Sequence, residues 1–300
     1  MSRRRKGRDI HGVLLLDKPP GFSSNQAVQK VRWLLQARKA GHTGSLDPFA
    51  TGMLPICLGE ASKTAGFMLD ASKTYIAEAR LGIATATGDI EGDICQREQV
   101  PDVDHAGIEN ALKRFLGEIE QVPPMYSALK HQGQPLYKLA RAGQEVERKA
   151  RTVTIHSLEL LDWASPVLKF RVHCSKGTYI RTLAEDIAQV LGSCAHLQAL
   201  RRLNVEPFSE QDMITLEDLE SAVETGMATD CLLPVDAGLS DWPKIELDDT
   251  SAERFTHGNP VAADSTQIGL VRVHTVSSKL LGIGEVTSDK LLKPKRIMHL

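Results

Sequence analysis

Residues 41–55, GHTGSLDPFATGMLP, constrain this chain more than any other stretch. They hold three glycines, two prolines and one carboxylate followed directly by proline. Glycine opens backbone angles closed to other residues, and proline fixes φ and removes an N–H donor. The run is therefore expected to be neither a regular helix nor a central strand, but a long stiffened loop presenting Asp47. Two readings of Asp47 follow. It caps a short helix with Pro48 at the first helical position, or it is a site carboxylate held still by its loop.

A chain of 300 residues, 42% hydrophobic and 25% charged, can build one large globular domain, or a large and a small one. The formal charge of −2 does not announce a polyanionic partner. Basic residues nevertheless cluster at Arg3, Arg4, Arg5, Lys6 and Arg8; at Arg148, Lys149 and Arg151; at Arg201-Arg202; and at Lys290, Lys293, Lys295 and Arg296. These groups leave an RNA or DNA partner open. The five cysteines are odd in number and form no C-x-x-C pair, which argues against a disulfide framework and a structural zinc site. A reducing, cytoplasmic setting is expected. The apolar run 13–16 is too short for a signal peptide or a membrane span.

Periodicity predicts a buried strand over 12–17. A helix follows, capped by Ser23, Ser24 or Asn25, with Ala27, Val28, Val31, Leu34 and Leu35 as its apolar stripe. Strands are expected over 54–58, 75–81, 153–161, 167–174 and 196–205. Helices are expected over 61–69, 104–116 and 179–191, and one starts at the Thr215/Asp218 capping box. Residues 123–151 lack a clear period and read as a basic excursion from the core. Beyond 246 short strands such as 267–273 and 280–286 alternate with turns. Strands and helices mix without regular βαβ alternation, so the fold class is α+β.

The chain has no G-x-S-x-G, phosphate loop, H-E-x-x-H or dinucleotide fingerprint. Asp89, Glu91 and Asp93 suggest a calcium loop, but Ile94 and Val100 stand where glycine and glutamate are needed. Tyr75 is a strand aromatic with its hydroxyl at the rim, or a site residue. With Thr178 as N-cap, Arg181 falls at the third helical position. A cation there opposes the helix dipole at about 0.3–1 kcal/mol. That cost is tolerated at an exposed site, or offset by a carboxylate partner, for which Asp47 is available. An arginine beside Asp47 is expected to lower its pKa.

Several words carry a family resemblance: Leu14-Leu15-Leu16-Asp17-Lys18-Pro19, Gly41-His42-Thr43-Gly44-Ser45-Leu46-Asp47-Pro48 and Lys73-Thr74-Tyr75. Ala86-Thr87-Gly88-Asp89, Pro123-Pro124-Met125-Tyr126-Ser127-Ala128 and Lys176-Gly177-Thr178-Tyr179-Ile180-Arg181-Thr182-Leu183 extend it. From about residue 11 to 240 the chain resembles the TruB family of bacterial tRNA pseudouridine-55 synthases. The tail after 246 is similar to that family's small PUA-like domain.

The resemblance implies a mainly antiparallel mixed sheet flanked by helices. It implies a catalytic domain over 1–245, an RNA-clamping insertion at about 123–151 and a PUA-like domain over 246–300. It implies conversion of one T-loop uridine of tRNA, at position 55, to pseudouridine without cofactor or metal. Asp47 matches the nucleophile, Tyr75 the tyrosine that stacks on the target base and assists proton removal, and Arg181 the arginine paired with the Asp. His42 resembles the histidine that fills the place of the flipped base. Tyr179 and Leu200 match pocket positions, and Lys18 and Pro19 a motif that shores up the cleft. The implied partner is the tRNA T stem-loop, for a monomer with no obligate protein partner and no membrane. Competing readings are a non-catalytic RNA-binding or chaperone protein, a guide-RNA-dependent synthase and, more distantly, a metal-dependent hydrolase.

Overall fold

The apolar run after His11 forms β1 (Gly12–Lys18), and Ser23 opens α1 (Ser24–Leu34) through a capping box with Gln26. There follow β2 (Ala40–His42), β3 (Thr51–Leu58), α2 (Ala65–Met68), β4 (Lys73–Leu81), β5 (Ile83–Thr85), β6 (Ile94–Arg97), α3 (His105–Lys113) and β7 (Gly117–Gln121). The 123–151 excursion carries only β8 (Lys130–His131), β9 (Gln134–Pro135) and α4 (Leu136–Arg141) before the chain returns to the sheet. Next come β10 (Arg151–Ala164), β11 (Val167–Cys174), α5 (Ile180–Val190), β12 (Ala195–Val205) and α6 (Leu216–Glu224). The last part holds β13 (Lys244–Leu247), α7 (Asp249–Thr256), β14 (Val261–Ala262), β15 (Gly269–Thr275), β16 (Leu280–Val286) and β17 (Leu291–Ile297). This computed structural model describes residues 7–263 and 267–300. Of the N-terminal basic group, Arg3, Arg4, Arg5 and Lys6 lie outside the described residues.

The main sheet has eight strands in the order β1-β3-β12-β4-β11-β10-β7, with β2 also on β3. Its pairs are antiparallel except where β12 meets β3, at Arg201↔Thr51 and Arg202↔Gly52. The architecture is α+β, with a mixed, mainly antiparallel sheet. The alternation in β4 is strict: Lys73, Tyr75, Ala77, Ala79 and Leu81 are the buried set. Tyr75, Ala77, Ala79 and Leu81 share a core with Ile180, Leu183, Ala184 and Ile187 of α5. A second core joins Leu14, Leu16, Leu54, Ile56 and Leu58 to α1 and α6. A third joins Val13, Leu15 and Met53 to Leu280, Ile283 and Met298, and so seats the C-terminal part on the main sheet. That part has its own five-stranded sheet, β13-β15-β16-β17-β14, whose first strand begins at Lys244, two residues before the expected boundary.

Two local expectations are corrected. The glycine-proline run is not loop throughout, because Thr51–Leu58 is an inner strand with Pro55 opposite Leu15. The Pro55 carbonyl accepts from Thr43 N, so it turns away from β1. In a strand a residue's N and C=O face the same side, so no ladder bond to β1 is lost. The helix expected over 61–69 is a 3₁₀ turn, Gly59–Lys63, followed by the single turn of α2.

Candidate active site

Residues 43–50 form the loop that links β2 to β3, and each end of it is anchored. Ser24, at the start of α1, donates through Oγ to Leu46 O and accepts from Leu46 N at 2.7 Å. Lys18 is fully buried and donates to the carbonyls of Pro19, Phe22 and Pro48. Asp47 is thus presented between two fixed neighbours, and the helix-cap reading fails: the residues after it are irregular and then β3.

Arg181 meets Asp47 in an ion pair, with Nε 3.0 Å from Oδ2 and Nη2 donating to Oδ1 at 3.2 Å. Two nitrogens of the guanidinium thus face the two carboxylate oxygens. Arg181 is only 5% exposed, so the exposed-cation reading is ruled out. Its other donors go to Thr87 O at 2.6 Å and Tyr126 O at 2.7 Å, and Nη1 lies 3.4 Å from Asp89 Oδ2. The N-cap of α5 is Tyr179 rather than Thr178, which places Arg181 at the second helical position. Tyr179 makes no side-chain cap. Gln121 of β7 instead fixes the cap residue's own backbone, with Oε1 accepting from Tyr179 N and Nε2 donating to Tyr179 O.

Asp47, Tyr75, Tyr179, Arg181 and Leu200 line one cavity of about 290 Å³, near the lower size of small-ligand sites. Lys18, Pro19 and His42 are not among its lining residues. Lys18 acts through the loop backbone. His42 stands at the loop's start, where its Nδ1 accepts from Gly44 N.

Electrostatics corrects one expectation. Asp47 keeps 35% of its side chain accessible, yet the cavity encloses it closely enough that burial pushes its carboxyl above the ordinary range. The Arg181 and Lys18 charges pull it down and Asp89 pushes it up, and burial outweighs them all. Arg181 therefore limits the rise rather than producing a low pKa. Burial also raises the Tyr75 and Tyr179 hydroxyls and lowers the His42 imidazole and the Lys18 amine, the last to about 8. Both tyrosines are neutral phenols at neutral pH.

Several residues with a part in the site carried no sequence signal of their own. Asp89 is 4% exposed and is set by Thr87 Oγ1 and Glu91 N, and it gives Arg181 a second carboxylate. Its place in the Ala86–Asp89 word was the available clue. Arg202, grouped with Arg201 among the basic clusters that leave a nucleic-acid partner open, is buried. Arg201 is committed to Asp17 through two 2.9 Å bonds. That pair is no surface patch. Among the described residues no group of three or more metal-ligating side chains comes together, and no helix is long and apolar enough to cross a membrane.

Comparison with known proteins gives consistent matches along the chain. Residues 32–180 match the profile of the TruB family pseudouridylate synthase N-terminal domain. Residues 181–240 match the tRNA pseudouridylate synthase B C-terminal domain, and 243–298 the pseudouridine synthase II TruB C-terminal profile. The chain is 53% identical over 300 residues to tRNA pseudouridine synthase B of Pseudomonas aeruginosa (strain UCBPP-PA14), covering 99% of this chain and 98% of that one. It is 51% identical to the protein of that name from Nitrosococcus oceani, with 99% and 97% covered. Among solved structures, a Cbf5-Nop10-Gar1 complex aligns with TM-score 0.74 and 30% identity, covering 95% of this chain and 84% of that one. An H/ACA RNP bound to a substrate RNA containing 2′-deoxyuridine aligns with TM-score 0.75 and 26% identity, covering 100% and 92%.

Proposed function

Because the chain belongs to the TruB family of pseudouridylate synthases and is an isomerase acting on uridine in tRNA, we propose that Asp47 is its nucleophile and that the target is uridine 55 of the T loop. The observation that carries the first part is the Asp47–Arg181 ion pair in the wall of the one cavity that also holds Tyr75, Tyr179 and Leu200. The resemblance of the 41–48 word to this family supports the second.

A stacked uridine is out of reach, so it is everted into the cavity at a cost of a few kcal/mol. Tyr75 recovers roughly 1–3 kcal/mol of that by stacking on the freed base. The N1–C1′ bond breaks and a C5–C1′ bond forms, while the C5 hydrogen is lost as a proton and N1 gains one. The Asp47 carboxylate adds to C1′ of the ribose or to C6 of the base; both routes need it ionised and close. Since the Tyr75 hydroxyl is raised by burial, it takes part in the proton transfer as a neutral hydrogen-bonding phenol rather than as a free phenolate.

His42, outside the cavity on the loop's leading edge, suits an RNA contact beyond the everted nucleotide. The 123–151 segment supplies one cavity wall through Tyr126 and Ser127, and it exposes Lys130, His131, Lys138 and Arg141. It is placed to close over a T stem-loop. The C-terminal five-stranded sheet forms a second RNA-binding unit, and the chain works as a monomer on tRNA alone.

The test maps pseudouridine in tRNA treated with wild type and with Asp47→Asn, with no guide RNA or protein added. Pseudouridine at position 55 only with wild type, and equal tRNA affinity for both, is the expected result. Modification by Asp47→Asn removes Asp47 from the chemistry, and modification elsewhere removes the T-loop assignment.

A further inference from the structure

Arg202 lines the same cavity and has no part in the chemistry above, yet it is only 1% exposed. A buried guanidinium is ordinarily matched to a carboxylate, because stripping water from an ion is costly. Here the fork donates to backbone carbonyls instead: Nε to Met53 at 2.7 Å, Nη1 to Ser45 at 3.4 Å and Nη2 to Gly44 at 3.2 Å. Gly44 and Ser45 precede Asp47 and Met53 follows it, so one planar group spans both ends of the loop. A lysine ammonium does not reproduce that fixed fork.

The backbone makes the same join. The parallel contact of β12 with β3 lies at Arg201 and Arg202. Gly52, facing Arg202, has φ +96°, and a Cβ there would lie 2.2 Å from the Arg202 carbonyl oxygen. Arg202 is also in register with Tyr75 on β4, and its charge and hydrogen bonding act on the Tyr75 hydroxyl. One residue is therefore tied both to the loop of Asp47 and to the strand of Tyr75.

We propose that Arg202 is a positioning residue for the isomerisation: its guanidinium fixes the 43–50 loop so that the Asp47 carboxylate stays in line with the nucleoside stacked on Tyr75. The proposal rests on the assignment of Asp47 as nucleophile. The charges that act most on Asp47 are those of Arg181, Asp89 and Lys18, and the tie from Arg202 to the Asp47 loop runs through backbone carbonyls. Loosening the loop parts Asp47 from Arg181, the neighbour that most lowers its carboxyl. The acid limb of kcat then moves to higher pH. A loss of folded protein alone lowers kcat without moving that limb.

The experiment measures tRNA affinity, kcat and its pH profile for Arg202→Lys, Arg202→Met and Gly44→Ala beside Asp47→Asn. Misplacing a reacting group by about 1 Å costs on the order of 100-fold. Arg202→Met is expected to lose about that much in kcat, Arg202→Lys less, each with tRNA affinity within about twofold of wild type and the acid limb shifted upward. Gly44→Ala, which disturbs the anchoring carbonyl at φ +127°, gives a smaller loss of the same kind. A kcat within about threefold of wild type with an unmoved limb overturns the proposal, as does a loss of tRNA affinity that accounts for the whole defect. If the Arg202 variants do not fold, Gly44→Ala decides, and a wild-type kcat and limb overturn it. Activity in Asp47→Asn sinks the nucleophile assignment instead, independently of how the Arg202 variants behave.

Discussion

Replacing Arg181 by methionine tests whether one guanidinium holds two carboxylates in the same site. The change keeps much of the side-chain volume and removes the bonds to Asp47, Thr87 and Tyr126 and the contact with Asp89. Removing one partner of a buried ion pair costs about 3–5 kcal/mol. Asp89 is 4% exposed and qualifies in full, whereas Asp47 is 35% exposed and is partly screened by solvent. The lower end, about 3 kcal/mol at neutral pH, is the expected loss.

The pH dependence has a definite sign. Folding raises the Asp47 carboxyl, so the fold favours its protonated form. Its contribution to stability is therefore present at low pH and lost as pH rises through the raised value. Without Arg181 the rise is larger, because only Lys18 still opposes burial and Asp89. Ionising Asp47 in its buried site, with Asp89 beside it, is then the main penalty, and protonation relieves it. Urea unfolding of wild type and Arg181→Met at about pH 7.5 and about pH 5 reads this directly, with the loss shrinking at the lower pH. A loss equal at both pH values, or below about 1 kcal/mol, refutes the reasoning, since neither carboxylate then depends on the guanidinium.

Two further outcomes follow from the site. Tyr75→Phe keeps the stacking ring and is expected to hold tRNA affinity within about twofold, whereas Tyr75→Leu loses about 1–3 kcal/mol of it; equal affinities in a binding titration contradict the stacking role. Ser24→Ala strips the partner from the buried Leu46 N–H and is expected to cost about 1–3 kcal/mol in urea unfolding; a loss below about 0.5 kcal/mol shows that Ser24 does not anchor the loop.

The regular elements were legible where one face alternates. β4 and α5 show it, because burial of every second or every third-to-fourth residue leaves a pattern that needs no partner to be read. β3 was partly hidden. Gly52 serves close packing against Arg202, and Pro55 serves a strand side that faces Thr43, and both depend on neighbours distant in sequence. The Asp47–Arg181 pairing was legible because a cation in the first turn of a helix broke a local rule. The pKa direction was not, since it is decided by how much water the folded cavity removes. The burial of Arg202 is hidden for the same reason: a dibasic pair carries no sign that the sheet places one member over three carbonyls.

The raised Asp47 carboxyl and its arginine partner fit one requirement of the proposed nucleophile. A carboxylate stabilised only by an ion pair has a low pKa and a tightly held electron pair, which makes it a poor nucleophile. A carboxylate that is only buried takes up a proton and is no nucleophile at all. Here burial raises the pKa and Arg181 restrains the rise, so the two act on the carboxyl in opposite directions. Entry of RNA removes more water and brings phosphate charge, both of which push Asp47 further upward. The restraint must therefore be in place before the substrate arrives, which accounts for an Arg181 already committed to Asp47, Asp89 and two backbone carbonyls in the free enzyme.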